Sequence, residues 1–242
     1  MTTQDRDPHL HRFLARLTRL ELPSTTNPYD RTREGRRRLG NLRHYLSHYR
    51  PPVSPLLEEG GGGRCDVLLV AEAFGYRGGR VTGVPLTSEA VIDTHPRFRH
   101  CFPDIVDAYI PCREKGALRT ESTASIVWRL FDELEIDVAP CCWNIVPLHP
   151  FDVDAGLWSN RTPTRREIDT GAEFAVDLID LLRPSLIIAV GKCASRGLST
   201  AGIDHVAVRH PSQGGANLFR EQMREILRGQ EEIDERVRVP CP

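Results

Sequence analysis

Three short segments of the chain carry polar side chains that suit the recognition of a planar ligand and the stabilisation of charge. The segment Ala71–Gly75 contains Glu72, a carboxylate at the start of a longer glycine-rich stretch that runs to Ser88 and whose backbone amides can approach a ligand closely. Asn144 offers a hydrogen-bond donor and an acceptor in one plane, which matches the edge of a nucleobase. His210 and Ser212 belong to a His-Pro-Ser sequence, where a histidine can donate to an oxygen that gains negative charge.

Each segment also has a simpler interpretation, and the residues alone leave both interpretations open. The glycine-rich stretch can be a surface loop, Asn144 can satisfy a loop backbone, and His210 can be a bystander beside a helix cap. The stretch is not a Walker loop, since no Gly-Lys-Ser/Thr follows it, and it is not a dinucleotide fingerprint that opens a helix. Placement favours the functional interpretation, because each segment lies at the carboxyl end of a predicted strand or directly after it.

The apolar pattern predicts four strands that alternate with helices. The strands are expected at 66–73, 141–147, 185–190 and 205–209, and the helices at 120–134, 164–182, 192–200 and from a cap at Ser212 onward. Buried parallel strands of this kind predict an α/β fold, a three-layer α/β/α sandwich around a mainly parallel four-stranded sheet. Ligands in such folds bind at the carboxyl ends of the strands, so the three segments are expected at one edge of the sheet.

The first 60 residues predict a basic helical extension before the α/β domain, which we place at residues 61–242. Two amphipathic helices are expected in it, the second at 33–48. Residues 1–50 hold 11 arginines against five acidic residues, whereas the whole chain has a net charge of −1. A basic arm of this kind favours binding to a polyanion, and Arg36, Arg37 and Arg38 are its candidates for contacts with phosphate.

The composition excludes several classes of protein. With 242 residues, 40% hydrophobic and 27% charged, the chain is typical of one large globular domain or one domain with an appendage. It has no apolar run of the length that spans a bilayer and no signal-peptide core. The seven cysteines lack a CxxC motif, so we expect reduced thiols and a cytoplasmic location. We also expect a monomer.

Taken in order, the three segments resemble the motifs of the uracil-DNA glycosylase superfamily. Ala71–Gly75 matches the motif after the first strand, Gly83–Leu86 matches a following Gly-x-Pro-Phe-like element, and Asn144 matches the strand-end asparagine. His210–Ser212 matches the His-Pro-Ser motif, and the resemblance covers about residues 65–230. It implies hydrolysis of the bond between a base and deoxyribose after the nucleotide is flipped out of the DNA.

The resemblance also implies a role for each matching residue. Glu72 and His210 would be catalytic, and His210 would donate to the base oxygen that gains charge. The base pocket would be lined by Ala71, Ala73, Phe74, Gly75, Tyr76, Leu86 and Asn144. The DNA backbone would be held by Ser88, Ser212, Gln213 and Gly214, together with the three arginines of the N-terminal extension.

The sequence departs from the superfamily's pattern at several positions. Ala73 stands where some families carry a water-activating Asp, and Leu86 stands where many members carry an aromatic residue that stacks on the base. The cysteines that hold an iron–sulfur cluster in other families are missing, so no cluster and no other cofactor is predicted. Gln213 and two glycines replace a bulky wedge, which favours single strands, mismatches or an unusual base over normal duplex.

Two other functions remain open, together with a few further candidate residues. One is a nucleic-acid-binding protein that kept the pocket but lost hydrolysis, and the other is a hydrolase of nucleotides or small molecules. Asp152 is a spare candidate for activating water, and Glu89 is expected at a helix start. His95, His100, Cys101 and Cys112 are candidate ligands of a zinc site. His44 and His48 are interpreted as a solvated or phosphate-facing side of a helix.

Overall fold

The computed structural model describes residues 7–49, 65–109 and 119–237. The helices in these ranges are α1 (Pro8–Leu17), α2 (Arg33–His48), α3 (Gly79–Thr82), α4 (Glu89–Thr94), α5 (Pro96–Cys101), α6 (Pro103–Ala108), α7 (Ser122–Glu133), α8 (Arg165–Leu182), α9 (Lys192–Thr200) and α10 (Ala216–Val237). The strands are β1 (Thr25–Thr26), β2 (Val67–Ala73), β3 (Cys141–Val146), β4 (His149–Pro150), β5 (Leu186–Val190) and β6 (Val206–Val208). No helix in the described ranges is long and apolar enough to cross a membrane.

Four parallel strands form the central sheet, in the order β3-β2-β5-β6. Helices cover the sheet, and the predicted α/β class with a parallel four-stranded sheet is confirmed. β2 lies between β3 and β5, so the chain crosses from one side of β2 to the other after β3. This reversal creates a crevice at the carboxyl ends of the strands, where ligands bind in open α/β folds.

The local signals in the sequence place most of the elements correctly. Helix α8 begins with a capping box, in which the Thr164 hydroxyl accepts from the Glu167 amide and the Glu167 carboxylate accepts from the Thr164 amide. The predicted cap at Ser212 is wrong, because α10 begins only at Ala216. Gln213 and Gly214 both adopt left-handed backbone conformations, which turns the chain before the helix begins.

The two N-terminal helices pack into the same hydrophobic core as the sheet. The Phe13 ring of α1 lies 5.6 Å from the ring of Trp143 on β3. The hydroxyl of Tyr45 on α2 accepts a hydrogen bond of 2.6 Å from the amide of Cys142. The predicted boundary at residue 60 lies outside the described residues, and the helices before it share one core with the strands after it.

Helix α2 also supports the loop that follows strand β2. Asn41 Nδ2 donates to the carbonyl oxygen of Thr82 over 2.9 Å, and Arg38 Nε donates to the carbonyl oxygen of Val81 over 3.2 Å. From the preceding loop, the Tyr29 hydroxyl donates to the carbonyl oxygen of Gly83 over 2.9 Å. These bonds satisfy carbonyl groups of a short helix that has few partners of its own.

Candidate active site

A cavity of about 380 Å³ lies at the carboxyl ends of the central strands. Its volume is within the range of small-molecule sites. Ten of the residues predicted from the sequence line it: Ala71, Glu72, Ala73, Phe74, Gly75, Leu86, Asn144, His210, Ser212 and Gln213. The loops that end three different strands therefore converge on one site.

Strand pairing explains why these residues meet. Ala71 on β2 is the register partner of Asn144 on β3, so the glycine-rich segment and the asparagine emerge side by side. His210 follows β6, and Gly191 at the end of β5 lies against its side chain. A Cβ atom on Gly191 would come within 2.9 Å of His210 Cβ, and the φ angle of Gly191 is +84°. Only glycine allows β5 to approach the histidine this closely without strain.

His210 is held in one tautomer by the turn that it opens. The backbone amide of Ser212 donates to His210 Nδ1 over 3.1 Å, and the Ser212 hydroxyl lies 2.7 Å from the same nitrogen. Since the amide can only donate, Nδ1 accepts, and the proton of the neutral ring lies on Nε2. Burial lowers the pKa of His210, and the charge of Arg209 lowers it further. The imidazole is therefore a neutral donor at neutral pH.

Asn144 is almost completely buried at the inner end of the cavity, with 2% of its surface exposed. Its side-chain oxygen Oδ1 has no hydrogen-bond partner in the structure. A buried amide oxygen without a partner costs about 1–3 kcal/mol. A structural asparagine that satisfied a loop backbone would have a partner, so this geometry favours recognition of a ligand.

Glu72 lies half-buried in the cavity wall and contacts Cys193 in the first turn of α9. Burial, together with the hydrogen bond and the charge of the Glu72 carboxylate, raises the pKa of Cys193 to about 12. The thiol is therefore protonated and can donate to the carboxylate. This contact lies at the cavity wall, where Glu72 is also a lining residue.

The apolar part of the cavity is formed by Phe74 and Leu86. The Phe74 ring packs so closely on Gly79 that a Cβ there would lie 2.2 Å from the ring. Leu86 has a φ angle of +50°, and its carbonyl oxygen accepts a hydrogen bond of 3.0 Å from the Trp128 indole. The tertiary bond holds Leu86 in a conformation that costs a non-glycine residue about 1–2 kcal/mol.

Several polar residues that line the cavity were missed by the sequence analysis. Glu121 caps α7, and its carboxylate oxygens accept from the amides of Thr123 and Ala124. Asn160 and Arg161 come from the loop before α8. That loop carries no regular pattern, and only the three-dimensional path of the chain brings it to the cavity.

The remaining predicted residues lie elsewhere. Tyr76 lines a neighbouring surface cavity, and Gly214 and Arg36 are not among the lining residues of either. The predicted phosphate contacts of Ser88 and Arg38 do not fit their burial. Ser88 is fully buried and caps α4, while Arg38 is 7% exposed and donates to a backbone carbonyl. Arg37 is half-buried and Arg36 is exposed, so a phosphate contact stays a prediction for these two residues.

The secondary candidates have structural surroundings of their own. Asp152 is exposed and accepts from the amides of Asp154 and Ala155 in a turn, and Glu89 lies at the start of α4 as expected. His48 packs on Phe102 at 4.9 Å between ring centroids, so it does not belong to a solvated helix side with His44. Across residues 7–49, 65–109 and 119–237, no group of three or more metal-ligating side chains comes together. Cys112 lies outside these ranges.

The overall fold is similar to the crystal structure of wild-type Pedobacter heparinus SMUG2. The TM-score is 0.63, and the match covers 93% of this chain and 98% of that chain. The chain shares the fold of SMUG2. The sequences are only 12% identical, so the likeness to SMUG2 is one of fold. No protein-family model matches the chain, and no curated protein sequence matches it significantly.

The match to SMUG2 extends beyond the residues that carry the sequence motifs. Coverage of 93% of the chain leaves too few residues to omit the whole N-terminal extension. This agrees with the packing of α1 and α2 into the common core. The match therefore includes at least part of the N-terminal extension.

Proposed function

We propose that the protein is a DNA glycosylase that hydrolyses the N-glycosidic bond of uracil or a related modified base. The observation that carries this proposal is the pairing of a neutral His210 donor with the unpartnered Asn144 oxygen in one cavity. The fold similarity to SMUG2, a glycosylase of the uracil-DNA glycosylase superfamily, supports it.

Base recognition would depend on Asn144. The Asn144 oxygen can accept from a ring N–H, and its amide nitrogen can donate to an adjacent carbonyl of the base. The base would enter after the nucleotide is flipped out of the DNA, at a cost of a few kcal/mol. The Asn144 oxygen would gain a hydrogen-bond partner only when the base binds. Binding would therefore offset the desolvation cost of this buried oxygen.

Bond cleavage would depend on His210 and Glu72. The bond between C1′ and the base nitrogen breaks, and its electron pair moves onto the base. His210 Nε2–H donates to the base oxygen that gains charge, a contribution of about 10²–10³ in rate. The Glu72 carboxylate would stabilise the positive sugar or orient the attacking water. Water adds its oxygen to C1′ and releases one proton, which ends on the departing base or in solvent.

The test is a base-release assay on end-labelled oligonucleotides followed by alkaline cleavage at abasic sites. The panel contains uracil, hypoxanthine, xanthine and bulky pyrimidines in single and double strands. Wild type should cleave at least one of these substrates, and His210→Ala should lose about 10²–10³ of the rate. His205→Ala is a matched control, because His205 bonds Ser195 and is not among the residues that line the cavity. No product from any substrate would contradict the proposal.

A second candidate function is a nucleic-acid-binding protein that keeps the pocket without hydrolysis. Ala73 in the cavity wall supports it, since that position carries no carboxylate to activate water. The carboxylates that line the cavity belong to Glu72 and Glu121. Both oxygens of Glu121 accept hydrogen bonds from backbone amides at the start of α7, whereas Glu72 does not cap a helix. Specific binding of a base-modified oligonucleotide without product would favour this function.

A further inference from the structure

A second cavity of about 450 Å³ opens beside the first, on the surface of the protein. It is lined by Tyr76, Arg77, Arg119, Thr120 and Trp158. The guanidinium of Arg80 lies over the indole ring of Trp158. We define the Trp158 cluster as Arg80 together with the aromatic and arginine residues of this lining: Tyr76, Arg77, Arg80, Arg119 and Trp158. No carboxylate is among the residues that line this second cavity. The charged side chains of this lining are both arginines, which can contact an anion.

Trp158 is the exposed centre of the cluster. It is 54% exposed, whereas Trp128 and Trp143 are completely buried. The guanidinium carbon of Arg119 lies 4.6 Å from the centre of the indole ring, and that of Arg80 lies 5.0 Å from it. An exposed tryptophan beside arginines combines a surface on which a base can stack with charges that attract phosphate.

The backbone around Trp158 and its neighbours is fixed rather than free. The amide of Tyr76 donates to Asn160 Oδ1 over 3.0 Å. Arg119 is joined to α4 at both ends, since its amide donates to the Glu89 carboxylate and its carbonyl oxygen accepts from the Ala90 amide. A surface of this rigidity loses little conformational entropy when it binds a ligand.

The two cavities are built by the same three loops, at positions next to one another in each loop. Gly75, Glu121 and Asn160 line the first cavity. Tyr76, Thr120 and Trp158 line the second, one or two residues away in each case. One or two residues of extended chain span at most about 3.5–7 Å. The lining residues of the two cavities are therefore chain neighbours, so one strand of nucleic acid can reach both cavities.

We propose that the Trp158 cluster binds the nucleotide next to the one in the active site, as an unpaired base stacked on Trp158. The adjacent phosphates would lie between Arg77 and Arg119. This inference rests on the proposed function for the identity of the first cavity. It assigns single-stranded or locally opened DNA as the substrate form, because a base paired in a duplex cannot stack on a protein ring.

Binding can be measured from the fluorescence of Trp158, since the other two tryptophans are buried away from solvent. Oligothymidylates of one, two and four nucleotides are titrated into the wild-type protein at several salt concentrations. The dinucleotide and tetranucleotide should quench the fluorescence, and the affinity should fall with salt. Trp158→Leu should lose the quenching and bind the tetranucleotide about 10-fold or more weakly in an anisotropy assay.

Arg77→Ala should reduce the slope of log K against log salt by about 0.7, which corresponds to one phosphate on a single strand. Arg119→Ala should do the same. Trp158→Phe keeps an aromatic ring and should retain most of the affinity. Val153→Ala is the matched control, because Val153 is 66% exposed on the same loop and carries no ring or charge.

The outcomes separate this inference from the proposed function. Equal tetranucleotide binding by Trp158→Leu and wild type would overturn the inference, even if both release base normally. Quenching by the mononucleotide alone would overturn it as well, since it would indicate an isolated nucleotide or anion site. Quenching by oligonucleotides without base release from any substrate would overturn the glycosylase and leave the cluster as a binding surface for single-stranded DNA.

Discussion

The backbone amide of Ser212 donates a hydrogen bond to Nδ1 of His210 over 3.1 Å. Protonating His210 would place a second proton on the nitrogen that faces this donor. Burial and the charge of Arg209 lower the pKa of His210, and the amide also favours the neutral ring. The amide in addition places the proton of the neutral ring on Nε2. A two-residue turn thereby sets the chemical form of the residue to which we assign the main catalytic role.

The pH dependence of base release should follow from this neutral ring. Because the pKa of His210 is lowered from 6.5, the active neutral form persists at pH values at which an ordinary histidine is charged. We expect the acid limb of the single-turnover rate to have its midpoint below pH 6.5. Arg209→Ala removes a nearby positive charge and should move that midpoint upward. A midpoint above 6.5 in wild type would contradict the neutral donor.

Gly191→Ala tests the close approach of β5 to His210. The new Cβ would meet His210 Cβ at 2.9 Å, and the φ angle of +84° disfavours any side chain. We expect the free energy of unfolding to fall by about 1–2 kcal/mol from backbone strain. The rate of base release should fall by more than the loss of folded protein explains, because the His210 ring is displaced.

Gly202→Ala is the matched control for this substitution. Gly202 also has a positive φ angle, of +71°, but a Cβ there meets no atom within 4 Å. It should lose stability without a specific loss of activity. Equal losses of activity in the two variants would show that strain alone, and not displacement of His210, causes the defect.

Asn144→Ala should separate stability from function. The substitution removes a buried amide whose oxygen has no partner, so the desolvation cost of about 1–3 kcal/mol disappears with it. We expect the free energy of unfolding to stay unchanged or to rise, whereas base release falls about 10²-fold or more. Urea denaturation and the base-release assay measure the two effects. A clear loss of stability would instead indicate a structural asparagine.

The sequence predicts those parts of the fold that are encoded locally. Strands β2, β3 and β5 are apolar except for Glu72 in β2 and Asn144 in β3, and α8 begins with a capping box, so their positions follow from short-range patterns. The polar residues at the carboxyl ends of the strands, or just after them, follow from the general position of sites in α/β folds. Glu72, Asn144 and His210 were found in this way, and they line one cavity.

What the sequence did not predict depends on contacts between distant segments. Arg38 is one of a run of arginines, and only its bond to Val81, 43 residues later, shows that it supports a loop. The sequence gives no sign that Glu121 differs from a surface acid, and only the structure shows that it caps α7 and lines the cavity. Trp158 lies in a loop without periodicity, and its arginine neighbours come from other parts of the chain. Charge and loop composition do not specify such partners.

The last prediction concerns the ion pair that joins the loop carrying Trp158 to helix α8. Arg161 donates to both carboxylate oxygens of Glu167, over 2.8 and 2.6 Å, and also to the carbonyl oxygen of Ser24 over 3.0 Å. Burial alone would raise the pKa of Glu167, but the bonds from Arg161 and Thr164 outweigh it, and the pKa is lowered from 4.5. The folded state therefore favours the charged carboxylate.

Glu167→Gln should lower the free energy of unfolding by about 1–3 kcal/mol at neutral pH. A lowered carboxyl pKa gives stability that is fully present above 4.5 and is lost as the pH falls through the folded value. The difference between wild type and Glu167→Gln should therefore shrink as the pH falls below 4.5. Urea denaturation across this range measures it. Glu173→Gln is the control for an exposed pair on the same helix, because Glu173 is 70% exposed and lies 3.8 Å from Arg16, and exposed pairs contribute little. If the difference is constant across the range, the ion pair with Arg161 does not stabilise the loop.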